Sequence, residues 1–156
     1  GFSKAFAMTG WRLGFVCGPK EIMQAMLKIH QYAIMCAPTM SQFAAIEALR
    51  NGLDDMNKMI KSYHQRRNYI VKAFREIGLP CHLPGGAFYV FPDITPTGLT
   101  SEEFAEKLLM EQHVAVVPGH VFGESGEGHI RCSYATGIDQ LQEAMKRIGE
   151  FVRKYQ

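Results

Sequence analysis

The sequence predicts an α/β fold, with helices filling its first half and a short sheet backed by helices in its second. Three observations predict it. Apolar residues recur at helical spacing over most of the stretch from 20 to 77. After Gly78 the texture changes to short β-prone runs bounded by glycine and proline. Those runs then alternate with two further helical segments, in the order strand, helix, strand, strand, helix. At 156 residues, 47% of them apolar and 21% charged, the chain has globular composition and enough length to bury a core.

The elements follow in order. Trp11 to Cys17 (W-R-L-G-F-V-C) reads as a strand between Gly10 and Gly18-Pro19. Pro19 suits the first turn of a helix whose stripe is Ile22, Met23, Met26, Leu27 and His30. Ala37-Pro38 breaks it, Thr39 with Gln42 forms a capping box for a second helix, and Asn51-Gly52 stops that helix. From about Asp54 a long helix carries Met56, Met59, Ile60, Tyr63, Ile70, Val71, Phe74 and Ile77 on one stripe and ends at Gly78. Ala87 to Phe91 is a strand behind Pro84-Gly85-Gly86. Thr100 and Glu103 cap the next helix, stapled by Leu99 and Phe104. Val114 to Val117 and His129 to Tyr134 are strands, and Asp139 caps a closing helix through Leu141, Met145, Ile148 and Val152.

Composition excludes several functions. Seventeen basic residues against fifteen acidic ones leave a net charge of +2, too balanced for a nucleic-acid-binding domain. No run approaches the ~18 apolar residues of a membrane span. The cysteines at 17, 36, 81 and 132 form no C-x-x-C, which points to reduced thiols and a cytoplasmic location. The six histidines form no metal-type pair, so no metal site is expected. The chain opens on Gly1 without a signal-peptide pattern and is read as a piece of something longer.

Three residues carry candidate chemistry. Lys4, in G-F-S-K-A-F-A-M-T-G-W-R-L-G, has no carboxylate nearby in sequence. A lysine without a counter-charge that loses its proton becomes the amine nucleophile of Schiff-base chemistry, although most lone lysines are simply solvated. Arg12 follows eight residues on beside Gly10, and its fork suits a phosphate. Arg131 lies in H-I-R-C-S-Y, where alternation sets Ile130, Cys132 and Tyr134 on one face and Arg131 and Ser133 on the other. With the apolar face toward the helices, Arg131 meets a cleft or solvent. Gly119, Gly123, Gly126 and Gly128 before it read as loops open to a ligand.

Together these residues resemble the class I/II aminotransferases, enzymes of the aspartate aminotransferase superfamily (fold type I) that use pyridoxal 5′-phosphate (PLP). The run Gly1 to Gly14 is similar to that family's lysine signature. The segments P-G-G-A-F-Y-V-F at 84–91, V-P-G-H-V-F-G at 117–123 and G-E-G-H-I-R-C-S-Y-A at 126–135 resemble its C-terminal part. The resemblance covers essentially the whole chain. It implies a remnant of the PLP-binding large domain over 1–60, a long interdomain helix over 54–78 and a small C-terminal α/β domain over 75–156. It further implies that Lys4 carries the cofactor as a Schiff base and acts as general acid/base. Arg12 would hold the cofactor phosphate and Arg131 would grip the α-carboxylate, with Gly85, Gly86 and Phe88 shaping the substrate side. Amino acids and 2-oxo acids are the implied partners, and a homodimer the implied assembly. Gly1 stands where many relatives place a phosphate-binding serine. Two alternatives share the fold, a PLP-dependent C–S lyase and the aminotransferase-like effector domain of a transcription regulator. The 156 residues alone are expected to be inactive, with apolar surface exposed in the first sixty.

Overall fold

Two hydrogen bonds close the first thirteen residues into a loop. Phe2 N–H donates to the Leu13 carbonyl at 3.3 Å and Thr9 Oγ1 donates to the Ser3 carbonyl at 3.0 Å. The computed structural model describes all residues from 1 to 156. It divides into two compact units, Gly1–Ile60 and Lys61–Gln156. The first holds a short helix α1 (Phe2–Ala5), α2 (Lys20–Ala33) and α3 (Thr39–Asn51). Its buried core is small, namely Phe2, Met8 and Ala45 with Phe6, Leu13, Ala44 and Ala48 around them. Helix α2 buries no residue. Ile29, Tyr32, Met40 and Phe43 on α2 and α3 stand exposed. Such an apolar surface is more than scattered hydrophobics require.

The strand expected over Trp11 to Cys17 does not form. Thr9–Trp11 make a single 3₁₀ turn, Arg12 adopts a left-handed conformation (φ 53°, ψ 49°), and residues 13–19 form no strand ladder. An apolar run becomes a strand only where another strand offers a ladder, and Phe15 and Val16 are exposed instead. The start of α3 also differs from expectation. Pro38 takes the N-cap, Thr39 becomes the first helical residue, and Gln42 Nε2 donates to the Ala37 carbonyl at 2.8 Å, so no capping box exists there. Pro19 likewise sits at the N-cap of α2 rather than inside its first turn.

Helix α4 (Leu53–Glu76) is 24 residues long, about 36 Å. Asp54 and Asp55 favour its N-terminus through the helix dipole. Its end is a full Schellman motif: Leu79 N–H donates to Phe74 C=O, Gly78 N–H donates to Arg75 C=O, and Gly78 supplies the positive φ of 84°. Leu79, the hydrophobic partner of that motif, is fully buried.

In the second unit β1 (Tyr89–Val90), α5 (Ser101–Gln112), β2 (Val117–Pro118), β3 (Ile130–Ser133) and α6 (Ile138–Val152) follow in the expected order. The sheet runs β1-β3-β2, antiparallel throughout, with Tyr89 opposite Ser133, Val90 opposite Cys132 and Val117 opposite Arg131. The ladders of β1 and β3 are shorter than the β-prone runs that encode them, and β2 lies at Val117–Pro118, at the end of the run expected over Val114 to Val117, because only there does β3 offer a partner. The capping box of α5 forms as read, with Thr100 accepting from Glu103 N–H and Glu103 accepting from Thr100 N–H. Asp139 lies in the first turn of α6, whose N-cap is Gly137. One face of the sheet (Val90, Ile130, Cys132, Tyr134) packs on Ile70, Phe74, Phe104, Leu108, Met145, Ile148 and Phe151 from the helices. Phe104 and Phe151 meet edge to face at 5.1 Å. No helix is long and apolar enough to cross a membrane.

Candidate functional site

The N-terminal loop carries Lys4 and Arg12 together. Burial of Phe2 and Met8 pins it from below, and Ser41 Oγ in α3 donates to the Trp11 carbonyl at 2.7 Å. Thr9 connects the two candidate residues. Its hydroxyl holds the carbonyl of Ser3, next to Lys4, and its own carbonyl accepts from Arg12 Nη1 at 3.0 Å. Lys4 is exposed in α1 and makes no ion pair or side-chain hydrogen bond. Arg12 is exposed and has no carboxylate partner, so its remaining N–H donors are available to an anion. A primary amine and a guanidinium on one small, tied loop are two of the donors that an aldehyde with a phosphate group would use, and the expectation from sequence is that they need further contacts from outside this chain. The residues present therefore fit PLP.

Arg131 lies in the second unit, at the middle of the sheet face opposite the core. The alternation expected of 129–134 holds: Ile130, Cys132 and Tyr134 are buried, Arg131 is half-buried and Ser133 exposed. Its guanidinium lies over two rings, with Cζ 4.5 Å from the Tyr89 ring centroid and 4.6 Å from that of Phe122. It makes no ion pair with any acidic group of the chain. Phe122 also meets Phe91 edge to face at 6.2 Å, and Phe91 stacks flat on His129 at 5.1 Å. Contact with the rings through π faces uses none of its N–H donors, which stay available for bidentate contact with a carboxylate.

Gly86 lies in the loop before β1, exposed and with open space where a Cβ would be. The conformational demand in this loop falls on Ala87, at φ 60°. Arg67 Nη1 donates to the Pro84 carbonyl at 3.2 Å, and Tyr134 Oη donates to the Ala87 carbonyl at 2.8 Å, fixing the loop from both sides. Burial raises the Tyr134 hydroxyl pKa above its ordinary value, so it stays a donor. Burial also pushes up the thiols of Cys81 and Cys132, which makes them poor nucleophiles.

The glycines before Arg131 serve the chain more than a ligand. Gly119 and Gly126 approach so closely that a Cβ on either would run into the other's carbonyl oxygen, so two turns press together there. Sequence reasoning also missed the group that ties these turns to α5, in which Ser101, Glu127 and His120 share hydrogen bonds. Tyr89 and Phe122 were missed as partners of Arg131. For Tyr89 the signal was present, since alternation in A-F-Y-V-F sets Tyr89 on the face away from buried Val90.

The family described as aminotransferase class I and II matches residues 1–148. Among curated proteins, the Bacillus subtilis protein YugH, named as an aminotransferase, is 65% identical over 99% of this chain. An aspartate aminotransferase of Pyrococcus abyssi is 51% identical over 99%. The chain spans 40% of the length of each of these relatives. Among solved structures, an aromatic aminotransferase from Pyrococcus horikoshii OT3 superposes with a TM-score of 0.94 at 48% identity, covering 99% of this chain and 42% of that one. An aspartate aminotransferase from Thermotoga maritima superposes at 0.90 with 36% identity, covering 98% and 39%. The α/β fold is therefore that of aspartate aminotransferase-type structures, of which this chain matches part.

Proposed function

The chain belongs to the class I and II aminotransferases, and from that premise we propose that its full-length protein moves an amino group between an amino acid and a 2-oxo acid using PLP bound at Lys4. The observation that carries the proposal is the tied loop on which Lys4 and Arg12 stand, with Thr9 bonded to both neighbourhoods. When bound, PLP supplies the electron sink that makes the amino acid's Cα–H acidic.

The chain's own residues then have distinct tasks. Lys4 Nζ would hold the cofactor and, once the substrate amine displaces it, would as a neutral amine carry the proton from the substrate Cα to the cofactor's C4′. Lys4 makes no ion pair that would have to break before its amine meets the cofactor. Arg12 binds the cofactor phosphate through the donors that Thr9 leaves free. Arg131 orients the substrate by its α-carboxylate, and its two aromatic neighbours keep water off the guanidinium faces. Gly86, open and without a side chain, leaves room on the substrate side. The exposed apolar residues of α2 and α3 support an assembly in which further protein covers them, the expected homodimer included. Four unpaired cysteines suit a reducing, cytoplasmic setting.

The test is amino transfer from glutamate to a panel of 2-oxo acids by the full-length, PLP-loaded protein. Transfer that disappears in Lys4→Ala supports the reading. Release of a thiol, ammonia and a 2-oxo acid from an S-substituted cysteine, with no transfer from glutamate, would replace it with the lyase.

A further inference from the structure

Resting on the reading of Arg131 as the carboxylate clamp, we infer that Ser101, Glu127 and His120 form a latch that positions Phe122 against Arg131 and so sets the affinity of the site for a carboxylate. Ser101 is the first residue of α5 and is fully buried. Glu127 grips it with both oxygens: Ser101 N–H donates to Oε1 at 2.7 Å and Ser101 Oγ donates to Oε2 at 2.7 Å. A serine hydroxyl has one proton, and here it is committed to a carboxylate that can only accept. His120 Nδ1, 2.8 Å from the same Oγ, must therefore carry a proton and donate it. The His120 backbone N–H also points at Ser101 Oγ, at 3.4 Å.

The three residues join three separate pieces of chain. Ser101 belongs to α5, His120 to the turn Gly119–Phe122, and Glu127 follows the turn Glu124–Gly126. Gly119 N–H donates to the His129 carbonyl at 2.8 Å, and Gly123 N–H donates to the His120 carbonyl at 3.0 Å, closing the turn that holds Phe122. The carboxylate also lies at the N-terminus of α5, where the helix dipole favours it. Phe122 itself is exposed and, beyond its edge-to-face contact with Phe91, has little apolar packing to hold it in place. Its position depends on the turn, and the turn's side-chain anchor is His120 on Ser101. Arg131 makes no ion pair, so its orientation depends on Tyr89 and Phe122. Cutting the latch loosens one of the two surfaces that aim the guanidinium. Ser101, Glu127 and His120 are positioning residues, since none of them touches Arg131.

The test uses the full-length, PLP-loaded protein and calorimetric titration with 3-phenylpropanoate and its uncharged amide, 3-phenylpropanamide. The phenyl group suits the aromatic surface of Tyr89, Phe91 and Phe122. Ser101→Ala is expected to weaken 3-phenylpropanoate about 3- to 30-fold, the equivalent of one cation–π contact. Amide binding falls less, so the carboxylate-to-amide affinity ratio drops, and PLP affinity stays unchanged. Glu127→Gln, an exposed change that folds normally, gives a smaller loss of the same kind. Combined with Phe122→Leu, Ser101→Ala adds nothing further, because both act through one ring. Hydrogen exchange at the Gly119 and Gly123 amides speeds up in Ser101→Ala. Unchanged exchange there, or equal losses for the carboxylate and the amide, overturns the latch. Arg131→Gln run in parallel separates the two claims. If it keeps the preference for the carboxylate, the clamp reading fails. If it abolishes that preference while Ser101→Ala leaves it intact, only the latch fails.

Discussion

The Arg131 guanidinium lies over the Tyr89 ring, its Cζ 4.5 Å from the centroid. The sheet register produces this contact. Tyr89 stands opposite Ser133 across β1 and β3, so Arg131 is its diagonal neighbour on the same face, within reach of a long side chain. The pair survives without a carboxylate because the ring quadrupole replaces part of the lost hydration of the cation.

Arg131→Gln should raise KM for amino acids and 2-oxo acids alike, since both carry a carboxylate, while PLP affinity changes little. Removing one partner of a desolvated charge pair costs about 2–5 kcal/mol. Steady-state kinetics beside a PLP titration check this. A parallel loss of PLP affinity would make Arg131 a structural residue.

Gly119→Ala should destabilise the second unit by about 2–3 kcal/mol, because the new Cβ meets backbone that cannot rotate away. Denaturant midpoints at constant m-value would show it. A silent substitution would mean that the turns at 119–122 and 124–126 do not press together.

His113→Gly should stabilise the chain by about 1 kcal/mol. His113 caps α5 in a left-handed conformation at φ 56°, which costs a side chain and suits glycine. It is exposed and makes no side-chain hydrogen bond that the change would forfeit. Urea unfolding of the variant beside the parent checks the sign.

Glu127 supplies a pH dependence. The Ser101 backbone N–H, and then its hydroxyl, hold the Glu127 carboxyl below its ordinary pKa. A lowered native value means that the ionised form stabilises the fold. The contribution is complete above the unfolded-state value of about 4.3 and is lost as pH falls through the lower native value. The stability gap between the parent and Glu127→Gln should therefore be open at about pH 7 and should close in acid. A gap that is constant with pH would show that Glu127 acts without its charge.

The helices were largely legible because periodicity and stop signals are local. The stripe from Met56 to Ile77 and the stop at Gly78 carry α4, and T-S-E-E at 100–103 carries the start of α5. Two starts shifted where another residue took the cap, Pro38 ahead of Thr39 and Gly137 ahead of Asp139. The strand over 11–17 failed for a different reason. Its apolar pattern is real, but a ladder is a property of two segments and no partner lies beside it. The alternation around Arg131 was legible, since a two-residue period needs only one strand. The latch was not. Ser101 is 19 residues from His120 and 26 from Glu127, and nothing in that spacing distinguishes it from chance.

The most direct test of the central claim is to load the full-length protein with PLP, reduce it with borohydride to fix the cofactor to its lysine, and map the label by peptide mass spectrometry. The account predicts one label, on Lys4, with a weaker load in Arg12→Gln as the phosphate loses its guanidinium. A label on any other lysine, with Lys4 unmodified, would contradict it.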